Sequence, residues 1–356
     1  MQARRILDLR RSHGQWREYA HDQVAQGRTM SRHGFLDHPG PIALAHRGGA
    51  GPWPENSWPA FEHAVALGYR YLETDVRATR DGTAMILHDS TLARVADRPG
   101  RLADLPLAEA SRIRLRQPPS AVAAAASSAA ISAPASRTSS DSPDRDGERI
   151  PRLDELLDRW PRMRFNLDVK EPGALEPTIA ALRRANALDR VCVTSFDDAV
   201  AREARRLAGP ELCVGAGMSA IAVARLCSVV PPWLAAARRS AGPRGPVDAH
   251  RHGTADRARA LVPAQTVETA NGNARRPRRL AGRDVVQVPV AFRSLPVCDA
   301  RFVRYMTSLG LPVHVWTVND EASMSMLLDL GVDGIITDRP ELLRDVLMRR
   351  DLWSPA

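Results

Sequence analysis

The chain has 356 residues, 44% of them apolar, enough to bury a sizeable core in one large domain or two ordinary ones; a single domain is expected. It has no run of about 18 uncharged apolar residues, which excludes a membrane-spanning helix, and its charged opening lacks the roughly 7–15-residue apolar stretch of a secretory signal, so the chain is expected in the cytoplasm. Its 50 Lys and Arg residues against 41 Asp and Glu leave a net charge of +9, which favours polyanions and acidic surfaces in general and marks no specific nucleic-acid partner.

Residues 1–38 are polar and basic and are expected to form a loosely held extension, with Met30 an alternative start. IALAH (42–46) then predicts a strand, followed by a helix over 57–67 that Asn56 or Ser57 can cap. YLETDV (71–76) and AMILHD are the next short apolar runs. The Ala/Ser/Pro tract at 117–149 lacks the apolar density to pack and predicts a flexible insertion. Strand and helix then alternate: FNLDVK (165–170) with a helix over 175–187, VCVTSF (191–196) with 198–207, and LCVGAG (212–217) with 219–229. An arginine-, glycine- and proline-rich stretch at 235–283 interrupts the pattern as an irregular insert. VVQVPV (285–290) with 301–309, PVHVWTV (312–318) with 321–330, and DGIITD (333–338) with 341–349 complete it, and 350–356 form a tail. Eight such units, with no G-x-G-x-x-G after the first strand, predict an α/β (β/α)₈ barrel of the TIM type rather than an open doubly wound sheet. Cys192, Cys213, Cys227 and Cys298 show no C-x-x-C spacing, so neither a zinc knuckle nor a disulfide framework is expected.

Polar residues gather at the predicted strand ends, where a barrel places its active site. Glu73 and Asp75 are two apart on a strand and so share a face; two carboxylates held together need a cation, and oxygen donors suit Mg²⁺ or Ca²⁺. Asp168 and Lys170 repeat the spacing and add a third carboxylate and an ammonium. Lys170 is the only lysine in the chain, which points to a place where a compact ammonium is needed and an arginine fork does not serve. Three acids, a cation and a lysine suit a phosphate diester, whose oxygens gain charge as it reacts. His46 and His88 end two apolar runs and can share proton work, while Arg47, Gly48 and Gly49 follow His46. For Thr337 and Asp338 the local reading is a cap for the last helix, and the alternation in 312–318 leaves open whether His314 and Trp316 or Val313 and Val315 face inward.

Together AHRGGAGPWPENSWPAF, YLETDVRATRDGTAMILHD, FNLDVK, VTSF and VHVWTVN…GVDGIITDRPELL resemble the glycerophosphodiester phosphodiesterases, over about 42–116, 150–217 and 284–349. The resemblance implies a barrel of 39–349 with an excursion after the second strand, the insertion 79–150, so that AMILHD is not a barrel strand. It implies hydrolysis of glycerophosphodiesters, such as glycerophosphocholine, to glycerol 3-phosphate and an alcohol. It implies His46 and His88 as the acid/base pair, Glu73, Asp75 and Asp168 as holders of a divalent metal, and Arg47 and Lys170 on the phosphate. Glu55 then supports these groups, and Phe196 and Trp316 wall the glycerol side. The family often has glutamate where this chain has Asp168, which leaves Mg²⁺ and Ca²⁺ both open. One alternative is a phospholipase D-like enzyme on the same fold acting on lysophospholipids, with an apolar rim at 226–234. The other is a non-enzymatic polyanion binder using the arginines of 238–283, a stretch with few aromatic residues to stack on bases. No feature sets an oligomeric state.

Overall fold

The computed structural model describes residues 33–49, 51, 53–96, 98–116, 148–229, 266–267 and 276–355. The expectations for residues 1–32 with Met30, for 117–147, and for 230–265 and 268–275 lie outside the described residues.

Eight parallel strands form the frame: β1 (Ile42–His46), β2 (Tyr71–Ala78), β3 (Arg164–Val169), β4 (Val191–Thr194), β5 (Cys213–Val214), β6 (Val286–Pro289), β7 (Val313–Trp316) and β8 (Gly334–Thr337). They lie in the order β5-β4-β3-β2-β1-β8-β7-β6. A parallel bridge from Gly215 to Val285, with Asp284 N–H donating to the Val214 carbonyl at 2.9 Å, joins β5 to β6 and closes the ring. Eight helices follow the strands in turn: α1 (Trp58–Ala66), α2 (Leu153–Arg159), α3 (Leu175–Arg184), α4 (Asp198–Ala208), α5 (Met218–Val229), α6 (Ala300–Ser308), α7 (Glu321–Asp329) and α8 (Pro340–Met348). This is the (β/α)₈ barrel. The strand Ala84–Ile86 pairs antiparallel to the end of β2 and stays off the ring, so AMILHD belongs to the excursion.

Alternation along each strand divides the side chains between two cores. Leu72, Phe165, Leu167, Val193, Val286, Val313 and Ile335 face outward and pack under the helices. Ile42, Leu44, Tyr71, Cys192, Cys213 and Val285 point inward and fill the end of the barrel opposite the strand C-termini, with Ile336 reaching from this cluster to the pocket at the mouth. Phe35 joins this inner cluster fully buried, its ring edge-on to Tyr71 at 5.4 Å. His33 fastens the same stretch, bonding through Nδ1 to the Glu211 carbonyl at 3.0 Å and lying 3.1 Å from Asp284 through Nε2. Part of the expected extension is therefore packed structure from His33 onward. Phe35→Ala is expected to lower unfolding free energy by about 3–5 kcal/mol, measured by urea titration, because it opens a cavity at the barrel's closed end.

The excursion after β2 has its own small core of Met85, Leu87, Leu92, Leu102, Ala110, Ile113, Leu115 and Ile150. Its first turn returns over the barrel mouth, where Leu87 N–H donates to the Asp75 carbonyl at 3.0 Å and Arg77 Nε to the His88 carbonyl at 2.9 Å. That packing fixes His88 beside β2 although it lies on no barrel strand. Among the described residues no helix is long and apolar enough to cross a membrane.

Candidate active site

Strand register assembles the site at the C-terminal mouth. His46 is level with Glu73, Glu73 with Asn166, Asp75 with Asp168, and Asp168 with Thr194. Because these positions share the inward phase, their side chains meet in one pocket of about 160 Å³. His46, Arg47, Glu73, Asp75, His88, Asp168, Lys170, Phe196 and Trp316 all line it. Glu55 stands just behind, bonded to Arg47.

The turn after β1 is possible only because of its backbone. Arg47, Gly48 and Gly49 take φ of 53, 84 and 103°, and a Cβ on Gly48 would lie 2.7 Å from the Ala60 carbonyl carbon. The close approach lets Arg47 N–H donate to Glu73 Oε2 at 3.1 Å while its guanidinium turns back to Asp75 at 3.0 Å and to Glu55 at 2.9 Å. Asn56, also at positive φ (58°), donates to Asp75 Oδ2 at 2.9 Å and accepts from Thr74 at 2.7 Å, so the Pro-Glu-Asn segment is tied to β2 through its last residue.

Lys170 reaches between two acids, 2.8 Å from Asp75 and 2.5 Å from Asp168. Burial disfavours the charge on Asp75, but Lys170 and then Arg47 outweigh it and hold the carboxyl below the usual range. Burial wins at the other two acids: Glu73 is pushed up to about 7, and Asp168 is raised although Lys170 opposes. Asp168 Oδ1 is buried with no hydrogen-bond partner. Among the described residues no three His, Cys, Asp or Glu side chains already converge as a metal cluster.

Both histidines are held in one way. His46 Nδ1 bonds Asp338 at 2.5 Å, and His88 Nδ1 bonds Asp89 at 2.6 Å. Asp338 is lowered because bonds from His46 and Asn319 outweigh its burial; Asp89 is lowered chiefly by Arg94. Both are thus ionised acceptors, so each Nδ1 carries the proton and each Nε2 is left for chemistry. At His46, burial lowers the pKa, but the Glu73 charge and the Asp338 bond more than reverse it. Asp338 is therefore the partner of His46 and not a helix cap, which corrects the local sequence reading; α8 starts without a side-chain cap. Arg94 joins the two supports, bonding Asp89 at 2.6 Å and Glu55 at 2.8 and 2.7 Å, and Glu55 in turn holds Arg47.

Phe196 and Trp316 meet edge to face at 5.7 Å on one wall, which settles the phase of β7: Trp316 and His314 face inward. His314 is fully buried beneath the pocket, where burial lowers its pKa to about 3, and it stays neutral beside the reciprocal amide pair of Asn166 and Gln287. Sequence reasoning gave no site role to Asp89, Arg94, Asn56, Met218 or Asn319, and it named Asn56 only as a possible helix cap. Asp89, Asn56 and Asn319 stood inside quoted motifs, whereas Arg94 stood in none and acts through Asp89 and through Glu55, 39 positions away in the chain. Leu226 and Val229, the described apolar residues of the expected rim, lie toward the C-terminal end of α5, whereas Met218 and Ile221 in its first half line the pocket.

A profile described as the Glycerophosphoryl diester phosphodiesterase family matches residues 46–215 and 224–342. A Mycobacterium tuberculosis protein named as a probable glycerophosphodiester phosphodiesterase 2 is 35% identical over 323 residues, 90% of this chain and 96% of that protein. A glycerophosphodiester phosphodiesterase of Caldanaerobacter subterraneus is 26% identical over 315 residues, covering 86% of this chain and 98% of that one. In fold, the chain is similar to an Oleispira antarctica phosphodiesterase in complex with the product sn-glycerol-3-phosphate (TM-score 0.57, 20% identity, covering 87% and 97% of the two chains).

Proposed function

This chain belongs to the glycerophosphoryl diester phosphodiesterase family and is a phosphodiester hydrolase, and from that premise we propose how its residues carry out hydrolysis of a glycerophosphodiester to sn-glycerol 3-phosphate and an alcohol. The observation that carries the proposal is the pair of imidazoles, brought from separate elements to one pocket, each with Nδ1 held by an ionised carboxylate. The Nε2 of one neutral imidazole takes the proton from the attacking oxygen, and the other histidine, doubly protonated as the imidazolium, gives its Nε2 proton to the departing alkoxide, so that one P–O bond forms as another breaks. Arg47 and Lys170 hold the phosphoryl oxygens and stabilise the charge that builds on them. Phe196 and Trp316 wall the glycerol side, and Glu55 keeps Arg47 in place.

The donor set fits a hard divalent cation, Mg²⁺ or Ca²⁺: Asp168 Oδ1 is buried without a partner, and Glu73 is raised by burial, with the charges of Asp75 and Asp168 beside it adding to the shift. Glu73, Asp75 and Asp168 would hold it. Such a cation, when bound, neutralises charge on the phosphoryl group. A cytoplasmic location is supported by the four free cysteines.

The test is to supply glycerophosphocholine to the purified protein and follow glycerol 3-phosphate with and without chelator. Release that stops on chelation and returns with Mg²⁺ or Ca²⁺ is expected, with saturable heat of Mg²⁺ or Ca²⁺ binding in calorimetry. Turnover indifferent to chelator would remove the cation assignment, and absence of product under every condition would remove the reaction.

A further inference from the structure

We propose that Arg94 is a positioning residue of the phosphodiester reaction: its guanidinium locks the excursion to the turn after β1, so that His88 and the phosphate-binding Arg47 are placed as one unit. This deepens the phosphodiesterase reading and rests on it. Both edges of the guanidinium are used. Nε and Nη2 donate to the two oxygens of Asp89 at 2.6 and 3.0 Å, while Nη1 and Nη2 donate to the two oxygens of Glu55 at 2.8 and 2.7 Å. A planar fork can grip two carboxylates at once in a fixed geometry, which the point charge of an ammonium cannot do.

Each of these carboxylates has a second task. Asp89 Oδ1 also holds His88 Nδ1 at 2.6 Å, and Glu55 Oε1 also accepts from Arg47 Nη1 at 2.9 Å. A continuous chain of bonds therefore runs from His88 through Asp89, Arg94 and Glu55 to Arg47, whose Nε lies 3.0 Å from Asp75. The bond from Arg94 is also the main reason that the Asp89 carboxyl lies low, and it keeps Asp89 the ionised acceptor that the His88 Nδ1–H requires.

The backbone on either side is held without help from the guanidinium. Leu92 is fully buried in the core of the excursion, Val95 and Ala96 N–H donate to its carbonyl at 3.2 and 2.8 Å, and Arg116 N–H donates to the Val95 carbonyl at 2.7 Å. The His88 carbonyl is held by Arg77, which is bonded in turn to Glu171 at 2.9 Å. Two arginines thus divide the work on His88: Arg77 fixes its main chain, and Arg94, through Asp89, fixes its ring. Arg94 itself is 50% exposed, and ion pairs so open to water contribute little to folding. Its bonds therefore govern where two reacting groups point rather than whether the barrel folds.

The test uses the full chain and measures kcat and KM for glycerophosphocholine, together with melting temperature, in Arg94→Ala and Arg94→Lys. Both variants are expected to lose about 10–100-fold in kcat/KM, the scale set by a small misplacement of reacting groups, with kcat lowered through His88, KM raised through Arg47 and melting temperature little changed. A cycle of Asp89→Asn and Glu55→Gln isolates the lock, because neutralising either carboxylate already opens it. With Arg94 present the combined loss is expected to fall short of the product of the single losses by about fivefold or more, and in the Arg94→Ala background the losses should multiply. Nitrogen NMR shifts of the neutral His88 ring need no turnover: the wild type should carry the proton on Nδ1 alone, and Arg94→Ala should show a mixture with the Nε2–H form. A loss below about tenfold in Arg94→Ala, a lysine variant as active as the wild type, or losses that multiply with Arg94 present overturn the proposal. So does a variant whose one defect is a lowered melting temperature, which would make Arg94 an ordinary surface ion pair. If the wild type fails on glycerophosphocholine, the phosphodiesterase reading falls instead, and the ring shifts still decide whether Arg94 positions His88, unchanged shifts counting against it.

Discussion

Turnover of glycerophosphocholine is expected to fall about 10²–10⁴-fold in His46→Ala and, separately, in His88→Ala, the usual worth of a positioned acid or base. The two losses should not multiply in the double variant, because proton removal and proton delivery serve one transition state. The carboxylates behind them make the claim sharper. In Asp338→Asn the amide can still bond Nδ1 but can do so by donating, which moves the imidazole proton to Nε2 and spoils its role. A loss of about 10²-fold or more, with melting temperature little changed and a displaced pH–rate profile, is expected from that variant. A fall below tenfold in either alanine variant would take that histidine out of the mechanism.

Much of this architecture was legible because it is periodic. All eight strands fall where short apolar runs were read, and the i, i+2 spacing in YLETDV and FNLDVK put Glu73 with Asp75 and Asp168 with Lys170 in one phase, as the pocket requires. What escaped was non-local. The helix Leu153–Arg159 follows β2 only after a long excursion, so no adjacent strand announced it. Phe35 stands alone in a polar stretch, and only the closed end of a barrel gives a single aromatic ring something to plug. Asp338 looks like a cap when read with its neighbours, but β1 and β8 are paired side by side, with Ala45 level with Thr337, and that pairing carries the carboxylate to His46. The phase of Trp316 was open for a related reason: alternation fixes a period without fixing which set faces in.

Lys170→Arg is expected to be nearly as harmful as Lys170→Ala, each lowering kcat/KM about 10²-fold or more. The ammonium has two carboxylates within 2.8 Å and the Phe196 ring centroid 5.7 Å away, and the side chain is only 12% exposed. A point charge fits that gap, whereas a planar guanidinium with its donors spread along a fork must displace Asp168 or Phe196. If Lys170 served only to hold β3 against β2, arginine would preserve the ion pairs and the rate, and alanine would act through stability because it strands two buried acids. Melting temperature and kcat/KM measured together on both variants separate these cases. A near-normal rate in Lys170→Arg would mean that the sole lysine of the chain is structural, and the phosphate would then depend on Arg47.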